Sequence, residues 1–270
     1  MAHDHHHPGG MELLDALAAH SPLRFVHPGL KLAFALAVIF AAIGAAHWAV
    51  GLFITASMVC AMGALGGIPL RRIGLLLRVP LLFLAVGCLV VLLEWSRQPA
   101  GLWSAALGGR YLCITAASCR RAGNLFCQAL GAVSAMYFLS TTTPMPQLIE
   151  ILRRWKLPEL VIELMYLIYR YLFVLLSCQR RMTIAATVRL GYHGLGRSVT
   201  TAGKIGGNLL AASFRRSRAC YDAMEARCYD GRLAFLNTVP PVRGKHLLAM
   251  AAYLLALGAW IFLAKGVLPG

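Results

Sequence analysis

The sequence predicts an all-α integral membrane protein with about five transmembrane helices, or six if one ambiguous segment also crosses, plus a cytoplasmic module of long helices. Apolar residues make up 59% of the 270 residues and charged ones 13%, and the mean hydropathy is +0.67. This composition is typical of membrane proteins. More than half of the 26 Lys and Arg lie in residues 144–244, between strongly apolar segments. Because a Lys or Arg at the centre of a membrane helix costs about 2.5–3.5 kcal/mol, this stretch as a whole is expected to stay outside lipid.

Four regions follow from this pattern. Residues 1–29 form a His-rich tail and amphipathic lead-in, 30–143 a four-helix transmembrane region, 144–244 the basic cytoplasmic module, and 245–270 a final transmembrane helix. Because a span needs about 20 mainly apolar residues, the predicted spans are 30–50, 51–66, 73–95, 122–139 and 247–263.

The first two predicted spans form a tight hairpin that turns near His47 and Trp48. Pro80 is expected inside the third span. Residues 96–110 are predicted to be a mixed loop, and the helix of the fourth span is expected to begin near Tyr111. In the basic module, one long helix is expected from Glu159 towards Arg189 and a second over 198–229.

The positive-inside rule places the N-terminus and the basic module in the cytoplasm, with the protein multi-pass in the cell (inner) membrane. Residues 159–178 are apolar and long enough to span. A single crossing there would put the following Arg-rich stretch outside and bury Glu163 and Arg170 in lipid. We therefore expect this helix to lie along the membrane base; the alternative is a sixth span paired with a seventh.

Each long helix of the basic module is expected to end close to an arginine-centred tripeptide. An arginine near a helix C-terminus is favoured by the helix dipole and presents five hydrogen-bond donors to a partner. A solvated helix cap is the simpler interpretation of either arginine alone, and the duplication 38 residues apart weakens it. The two tripeptides are Val188-Arg189-Leu190 and Ala226-Arg227-Cys228.

Several motifs together resemble a known family. They are Leu139-Ser140-Thr141-Thr142-Thr143-Pro144, Leu157-Pro158, Tyr169-Arg170-Tyr171, Arg189-Leu190-Gly191-Tyr192 and Ala223-Met224-Glu225-Ala226-Arg227. From about Leu13 to Pro241 the chain resembles the CbiQ/EcfT transmembrane component of energy-coupling factor (ECF) transporters, in particular its cobalt-type branch.

The resemblance implies a non-catalytic subunit that couples two ATP-binding-cassette ATPases to a small substrate-binding membrane component. That component would be CbiM-like, with or without a CbiN-like subunit. ATP and Mg²⁺ would bind to the ATPases, this chain would hold no cofactor, and the transported ion would be Co²⁺ or Ni²⁺.

The resemblance also implies roles for particular residues. Two Ala-Arg-Gly-like motifs of the family dock into the ATPases, which makes Arg189 and Arg227 the docking residues, with their tripeptide neighbours beside them. The chain departs from that pattern, since the first tripeptide keeps only its arginine and Cys228 stands where glycine is usual.

Thr142, Thr143 and Pro144, together with Arg170, are candidates for a coupling or hinge role. The plainer interpretation of the threonines is a helix end whose hydroxyls satisfy freed backbone groups before Pro144 opens the next helix.

A histidine cluster at the N-terminus has side chains suited to cobalt, nickel or zinc, and it is a weak metal candidate. Its members are His3, His5, His6 and His7. A non-essential tail is the more economical interpretation, and the sequence supports no firm metal site.

The predicted function is that of the coupling subunit of an ATP-driven, ECF-type importer, most simply one that takes up cobalt ion. No phosphate-binding Gly-x-x-x-x-Gly-Lys-[Ser/Thr] loop is present, so ATP hydrolysis by that mechanism falls to partners. The alternatives are a self-sufficient ion channel or secondary metal-ion carrier, which would need ionisable or broken-helix sites at mid-membrane, and a membrane transferase acting on anionic lipids. Nucleic-acid binding is not expected, because the positive charge sits on a membrane protein.

Overall fold

The computed structural model describes residue 15 and residues 17–45, 47–96, 103–107, 110–155, 157–231 and 240–267. The chain divides into two compact units. Met1–Leu148 and Val239–Gly270 form the first unit, and Ile149–Thr238 form the second.

Helices dominate the described residues. Residues 17–20 are helical, and a 3₁₀ turn at Pro22–Phe25 follows them. After this turn the helices are, in chain order, α1 (Pro28–Ala45), α2 (Trp48–Ala64), α3 (Leu70–Leu92), α4 (Ala116–Thr142), α5 (Met145–Arg154), α6 (Glu159–Val188), α7 (Leu195–Glu225) and α8 (Gly244–Val267). The predicted all-α membrane fold is confirmed.

Five helices of the described residues are long and apolar enough to cross a membrane, namely α1, α3, α4, α6 and α8, and α2 is a shorter apolar helix. Large apolar side chains on α3 point away from the protein, with Val79 75% and Phe83 77% exposed. Such exposure suits hydrocarbon rather than water, so the chain is a multi-pass membrane protein. The in-plane orientation of residues 159–178 stays a prediction.

The predicted hairpin between the first two spans is confirmed. His47 caps the N-terminus of α2, where its Nδ1 accepts a hydrogen bond from the Ala49 amide at 3.3 Å. The break between α1 and α2 therefore falls at His47, whereas the sequence pattern placed the end of the first span at Val50. Pro80 lies within α3, as expected.

The segment before α4 contains a small sheet, which corrects the prediction of a mixed loop and of a helix beginning near Tyr111. Strands β1 (Glu94–Ser96), β2 (Trp103–Leu107) and β3 (Arg110–Ile114) pair antiparallel in the order β1-β3-β2. Glu94 is opposite Cys113, and Trp103 is opposite Ile114. Because β3 continues through Ile114, α4 begins only at Ala116.

The core of the first unit is built around the contact between α2 and α4. A methyl group on Gly51 would clash with the backbone of Cys127, and one on Gly131 would lie 3.1 Å from the carbonyl oxygen of Gly51. These glycines therefore let the two helices approach closely. The surrounding core is apolar and includes Phe34, Val38, Ile54, Met58, Ala135, Phe138 and Leu257.

In the second unit α7 turns back along α6, so the two helices form an antiparallel hairpin. Thr201 of α7 contacts Gly191 near the turn, and at the other end Tyr229 contacts Glu163 of α6. The start of α6 at Glu159 matches the sequence prediction, and α7 is shifted by a few residues from the predicted 198–229.

Candidate functional site

The first arginine end, residues 186–191, closes helix α6. The Gly191 amide donates to the carbonyl of Ala186 at 2.8 Å, and the Leu190 amide donates to that of Thr187 at 3.0 Å. This pair of bonds is the Schellman pattern of helix termination. It places Arg189 at the C-cap, where φ is −88° and ψ is 16°.

The second arginine end, residues 224–229, closes helix α7 in the same way. The Tyr229 amide donates to the carbonyl of Met224 at 3.1 Å, and the Cys228 amide donates to that of Glu225 at 2.9 Å. Counted from this hydrogen-bond pattern, Arg227 occupies the position that Arg189 occupies at the first arginine end. The two tripeptides found in the sequence are therefore structural equivalents.

The third residue of each tripeptide has a left-handed backbone, with φ of 56° at Leu190 and 58° at Cys228. Glycine adopts this conformation without steric cost, whereas an L side chain there is disfavoured by about 1–2 kcal/mol. The glycine of the Ala-Arg-Gly pattern thus corresponds to a position whose backbone favours glycine. Leu190 and Cys228 keep the turn despite their side chains.

Each arginine end is anchored to the opposite helix of the hairpin. Thr201 of α7 donates from Oγ1 to the Gly191 carbonyl at 2.7 Å. The Tyr229 hydroxyl donates to Oε2 of Glu163 at 2.8 Å, and Glu163 is buried on α6. At both ends the residue after the left-handed one, Gly191 or Tyr229, is hydrogen-bonded to the neighbouring helix.

The Glu163 carboxylate also affects the acid–base behaviour of its partner. The hydrogen bond to Glu163 raises the pKa of Tyr229, with smaller contributions from burial and from the charge of the same carboxylate. The phenol therefore stays a donor throughout the physiological range.

The side chains of both tripeptides lie on the surface. Val188 is 79% exposed and Leu190 65% exposed, and Arg189, Ala226, Arg227 and Cys228 are exposed as well. Both guanidinium groups are thus accessible to a partner.

Arg170 lies on α6 and lines the same cleft between α6 and α7 as Arg227. The structure thus brings together one predicted coupling residue and one predicted docking residue, and it places Arg189 at the opposite end of α7.

The threonine run closes α4. Thr142 donates from its hydroxyl to the Phe138 carbonyl at 2.6 Å, and Thr143 is the buried C-cap residue. Pro144 then leads into α5, whose first turn bonds to its carbonyl. A hinge role for these residues stays a prediction.

Lys31 of α1 reaches this helix end, a contact that the sequence analysis missed. Its side chain is 0% exposed, and its Nζ donates to the carbonyls of Thr142 at 2.7 Å and Leu23 at 3.1 Å. A cation at a helix C-terminus is electrostatically favourable. Lys31 is the second residue of the predicted span 30–50. A lysine at the start of an otherwise apolar run was the feature of the sequence that could have indicated this contact.

The predicted metal candidates cannot be placed, because His3, His5, His6 and His7 lie outside the described residues. Among the described residues, no group of three or more His, Cys, Asp and Glu side chains is arranged to hold a metal ion.

Fold and site together define a multi-pass membrane protein with a basic helical hairpin that ends in two equivalent arginine caps. Residues 19–235 match the family model CbiQ, described as cobalt transport protein. The chain belongs to the CbiQ family.

Named relatives agree with this assignment. A fused cobalt transport protein CbiMQ, as it is named, from Methanocorpusculum labreanum is 31% identical over 90% of this chain and 40% of its own length. The cobalt transport protein CbiQ of Rhodobacter capsulatus is 30% identical over 71% of this chain and 75% of its own length. CbiQ of Salmonella typhimurium is 30% identical over 57% of this chain and 68% of its own length. The chain thus matches well under half the length of the fused relative.

Proposed function

We propose that this chain is the transmembrane coupling subunit of an ATP-driven, ECF-type importer that takes up cobalt ion, with Ni²⁺ as the closest alternative cargo. The single observation that carries the proposal is the pair of equivalent, exposed arginine caps, at Arg189 and Arg227, on the two helices of one hairpin. Membership of a cobalt transport family supports cobalt ion as the cargo.

The geometry favours docking over simple helix capping. At both arginine ends backbone amides already satisfy the terminal carbonyls, so the guanidinium groups are not needed as caps. In the described part of the chain neither Arg189 nor Arg227 forms a side-chain ion pair or hydrogen bond. An exposed guanidinium without an internal partner can form a bidentate pair with a carboxylate of another subunit.

The separation of the two arginines suits two partner subunits. Helix α7 lies between them and has 31 residues, which at 1.5 Å per residue gives about 46 Å. One small contact surface does not reach across this length. Two equivalent caps so far apart are better matched to two copies of a partner, and we assign one ATPase subunit to each. ATP and Mg²⁺ bind to these subunits, and this chain is non-catalytic and holds no cofactor.

The substrate-binding membrane component is a further partner. The relative from M. labreanum is named as a fusion of CbiM and CbiQ, which supports a CbiM-like partner, with or without a CbiN-like subunit. Leu164 and Ile168 of α6 expose apolar side chains, 47% and 63%. This face is suited to contact that component within the lipid bilayer. The N-terminus and the basic hairpin then face the cytoplasm of a cell whose inner membrane holds the chain.

The test reverses the charge at both arginine ends. The double variant Arg189→Glu with Arg227→Glu should still insert into the membrane and should lose co-purification with its ATPases. The matched control is Arg215→Glu with Arg218→Glu, two exposed arginines of α7 outside both tripeptides, which should retain the ATPases. Undiminished ATPase recovery with the Arg189/Arg227 variant would refute the docking assignment.

A further inference from the structure

A cavity of about 440 Å³ lies within the first unit, between helices α1, α2, α4 and α8. Its walls are mainly apolar and include Phe34, Met58, Phe138 and Met250. Phe34 contacts both Phe138 and Tyr253 edge to face, with ring centroids 6.0 and 5.2 Å apart. The volume lies within the range of about 300–1,000 Å³ that is usual for ligand sites. The cavity is therefore large enough for a ligand, which its walls would bind mainly through apolar contact.

The cavity opens between α2 and α8. Four of the residues that line it are exposed, namely Cys60, Ala64 and Leu65 at α2 and Ala249 of α8. Helix α2 is apolar, and α8 is long and apolar enough to cross a membrane. A ligand would therefore enter sideways from the hydrocarbon of the bilayer rather than from water.

Apart from the Cys60 thiol, four polar side chains of the described residues line the cavity, and three of them have partners within the protein. Lys31 donates to two backbone carbonyls, and the hydroxyls of Ser57 and Tyr253 share a hydrogen bond of 2.5 Å. The fourth, His246, forms no side-chain hydrogen bond or ion pair within the part of the chain that the structure describes. The interior thus requires no polar group from a ligand, whereas an imidazole is available in the first turn of α8.

His246 and the hydrogen-bonded hydroxyl pair lie at different depths in the cavity. Tyr253 follows His246 by seven residues, which is about 10 Å along α8 at 1.5 Å per residue. On the same measure Leu65, just after the end of α2, lies about 12 Å from Ser57. The end of α2 and the start of α8 therefore lie together at one end of the cavity, and the hydroxyl pair lies further in.

The His246 end of the cavity is basic. Arg243 and Lys245 precede His246 in the chain, and both are exposed. None of the described residues that line the cavity is acidic. A basic end and an apolar interior within one cavity match a molecule with an anionic head and a hydrocarbon tail.

We propose that this cavity binds an anionic phospholipid of the bilayer. One acyl chain lies between α2 and α8 and reaches the Ser57–Tyr253 pair, and the phosphate lies beside His246 at the first turn of α8. A helix of a partner protein is a poorer match, because a helix about 10–12 Å across would fill this volume with about one turn. The bound acyl chain fills the space between α2 and α8, so the lipid becomes part of the packing of the first unit.

The first experiment locates the acyl chain by photocrosslinking in the full chain, purified alone and placed in bilayer discs, so its outcome is independent of ATPase docking. The probe is phosphatidylglycerol with a diazirine halfway along one acyl chain, and peptide mass spectrometry identifies the adducts. Adducts at Cys60 and Met250 should saturate as the fraction of probe rises, whereas those at Phe83, an exposed residue of α3, should keep rising. The same unsaturated rise at all three positions would overturn the proposal, because it would indicate general contact with lipid.

Filling the cavity should remove the saturable adducts. Ala64→Trp with Ala249→Trp adds two indole rings at the opening, where both alanines are exposed. The matched control is Ala56→Trp with Ala251→Trp, at exposed alanines of the same helices outside the cavity lining, and it should keep the adducts. Adducts at Phe83 should be equal in all three proteins, which shows that each is folded and inserted. Undiminished adducts at Cys60 and Met250 in the Ala64/Ala249 variant would overturn the proposal.

A second experiment tests the headgroup by native mass spectrometry with phosphatidylglycerol and phosphatidylcholine of equal chain length. The parent chain should retain phosphatidylglycerol more strongly, and Arg243→Gln with Lys245→Gln should weaken that binding by at least about tenfold. Arg71→Gln with Arg72→Gln, which removes the same charge from exposed arginines of α3, should bind like the parent chain. Equal binding of the two lipids by the parent chain, or equal loss in the two glutamine variants, would overturn the proposal.

Discussion

The C-terminus of α4 and the two arginine ends terminate helices in opposite ways. At Thr142 a buried lysine from a distant part of the sequence donates to the terminal carbonyl, and the whole arrangement lies inside the first unit. At Arg189 and Arg227 the terminal carbonyls bond to the backbone that follows, and the cations remain exposed. The first cation contributes to the fold, whereas the other two remain accessible to other molecules.

This difference suggests a way to separate structural from functional basic residues in such chains. A lysine or arginine that satisfies carbonyls of its own protein is expected to affect stability when it is replaced. One that caps a helix already closed by its backbone is expected to affect association instead. The following predictions test that distinction, in order of decreasing effect.

Lys31→Met should destabilise the protein by about 2–4 kcal/mol, because two carbonyls lose their donor in a buried setting. The measurement is the free energy of unfolding of the purified chain in detergent. Lys204→Met, the same change at an exposed lysine of α7, is the control and should have little effect. Equal stabilities of the two variants would show that the Lys31 contact is dispensable.

Tyr229→Phe should weaken ATPase co-purification without preventing membrane insertion, because the second arginine end loses its hydrogen bond to Glu163. Tyr192→Phe, at an exposed tyrosine beside the first arginine end, is the control. Full ATPase recovery with Tyr229→Phe would mean that this anchor does not position Arg227.

The pH dependence of the same anchor follows from the raised pKa of Tyr229. A group whose pKa is raised by folding stabilises the folded state below its unfolded pKa, here about 10. Its contribution is lost as the pH rises through the folded value. Parent and Tyr229→Phe proteins should therefore keep a constant difference in stability between about pH 7 and 9 and converge only above that range. Convergence at neutral pH would contradict the assignment.

Leu190→Gly and Cys228→Gly should each stabilise the protein by about 1 kcal/mol, because glycine accepts a positive φ. Val188→Gly, two residues before Leu190 and still within α6, should have the opposite sign and destabilise the protein by about the same amount. The stability of each of the three variants is measured by thermal unfolding and compared with that of the parent protein. Destabilisation by all three glycines would show that the side chains at 190 and 228 contribute more by contact than they cost in strain.

Thr201→Val should have the smallest effect, a loss of about 0.5 kcal/mol, because its hydrogen bond to Gly191 is only partly buried. Thr200→Val is the matched control, since the Thr200 hydroxyl bonds only within its own helix, to the Gly196 carbonyl at 3.0 Å. Hydrogen exchange of the amides at residues 190 and 191 should increase in the Thr201 variant and not in the control. If hydrogen exchange is unchanged in both variants, the Thr201 hydrogen bond does not anchor the first arginine end.

Much of the fold could be predicted from the sequence because it depends on local patterns. Long apolar runs located the helices, and His47 and Pro158 mark breaks that the structure retains. The three-stranded sheet was missed because its strands have three to five residues and its pairing is non-local. Strands this short show too little alternation of apolar and polar residues to be recognised from the sequence, especially directly after an apolar helix.

The candidate site divides in the same way. The tripeptides around Arg189 and Arg227 were visible as local patterns, and so was their position at helix ends. The anchors were not, because Glu163 and Tyr229 are 66 residues apart and meet only once α7 has turned back along α6. Lys31 and Thr142 are 111 residues apart, and their contact also depends on tertiary packing.

The hairpin of α6 and α7 is fastened to itself at both tips, by Thr201 at one and by Tyr229 at the other. The two helices are therefore joined near each end, so a displacement of one end would carry the other with it if the hairpin binds ATPases as proposed. Loss of either hydrogen bond would let the two ends move more independently.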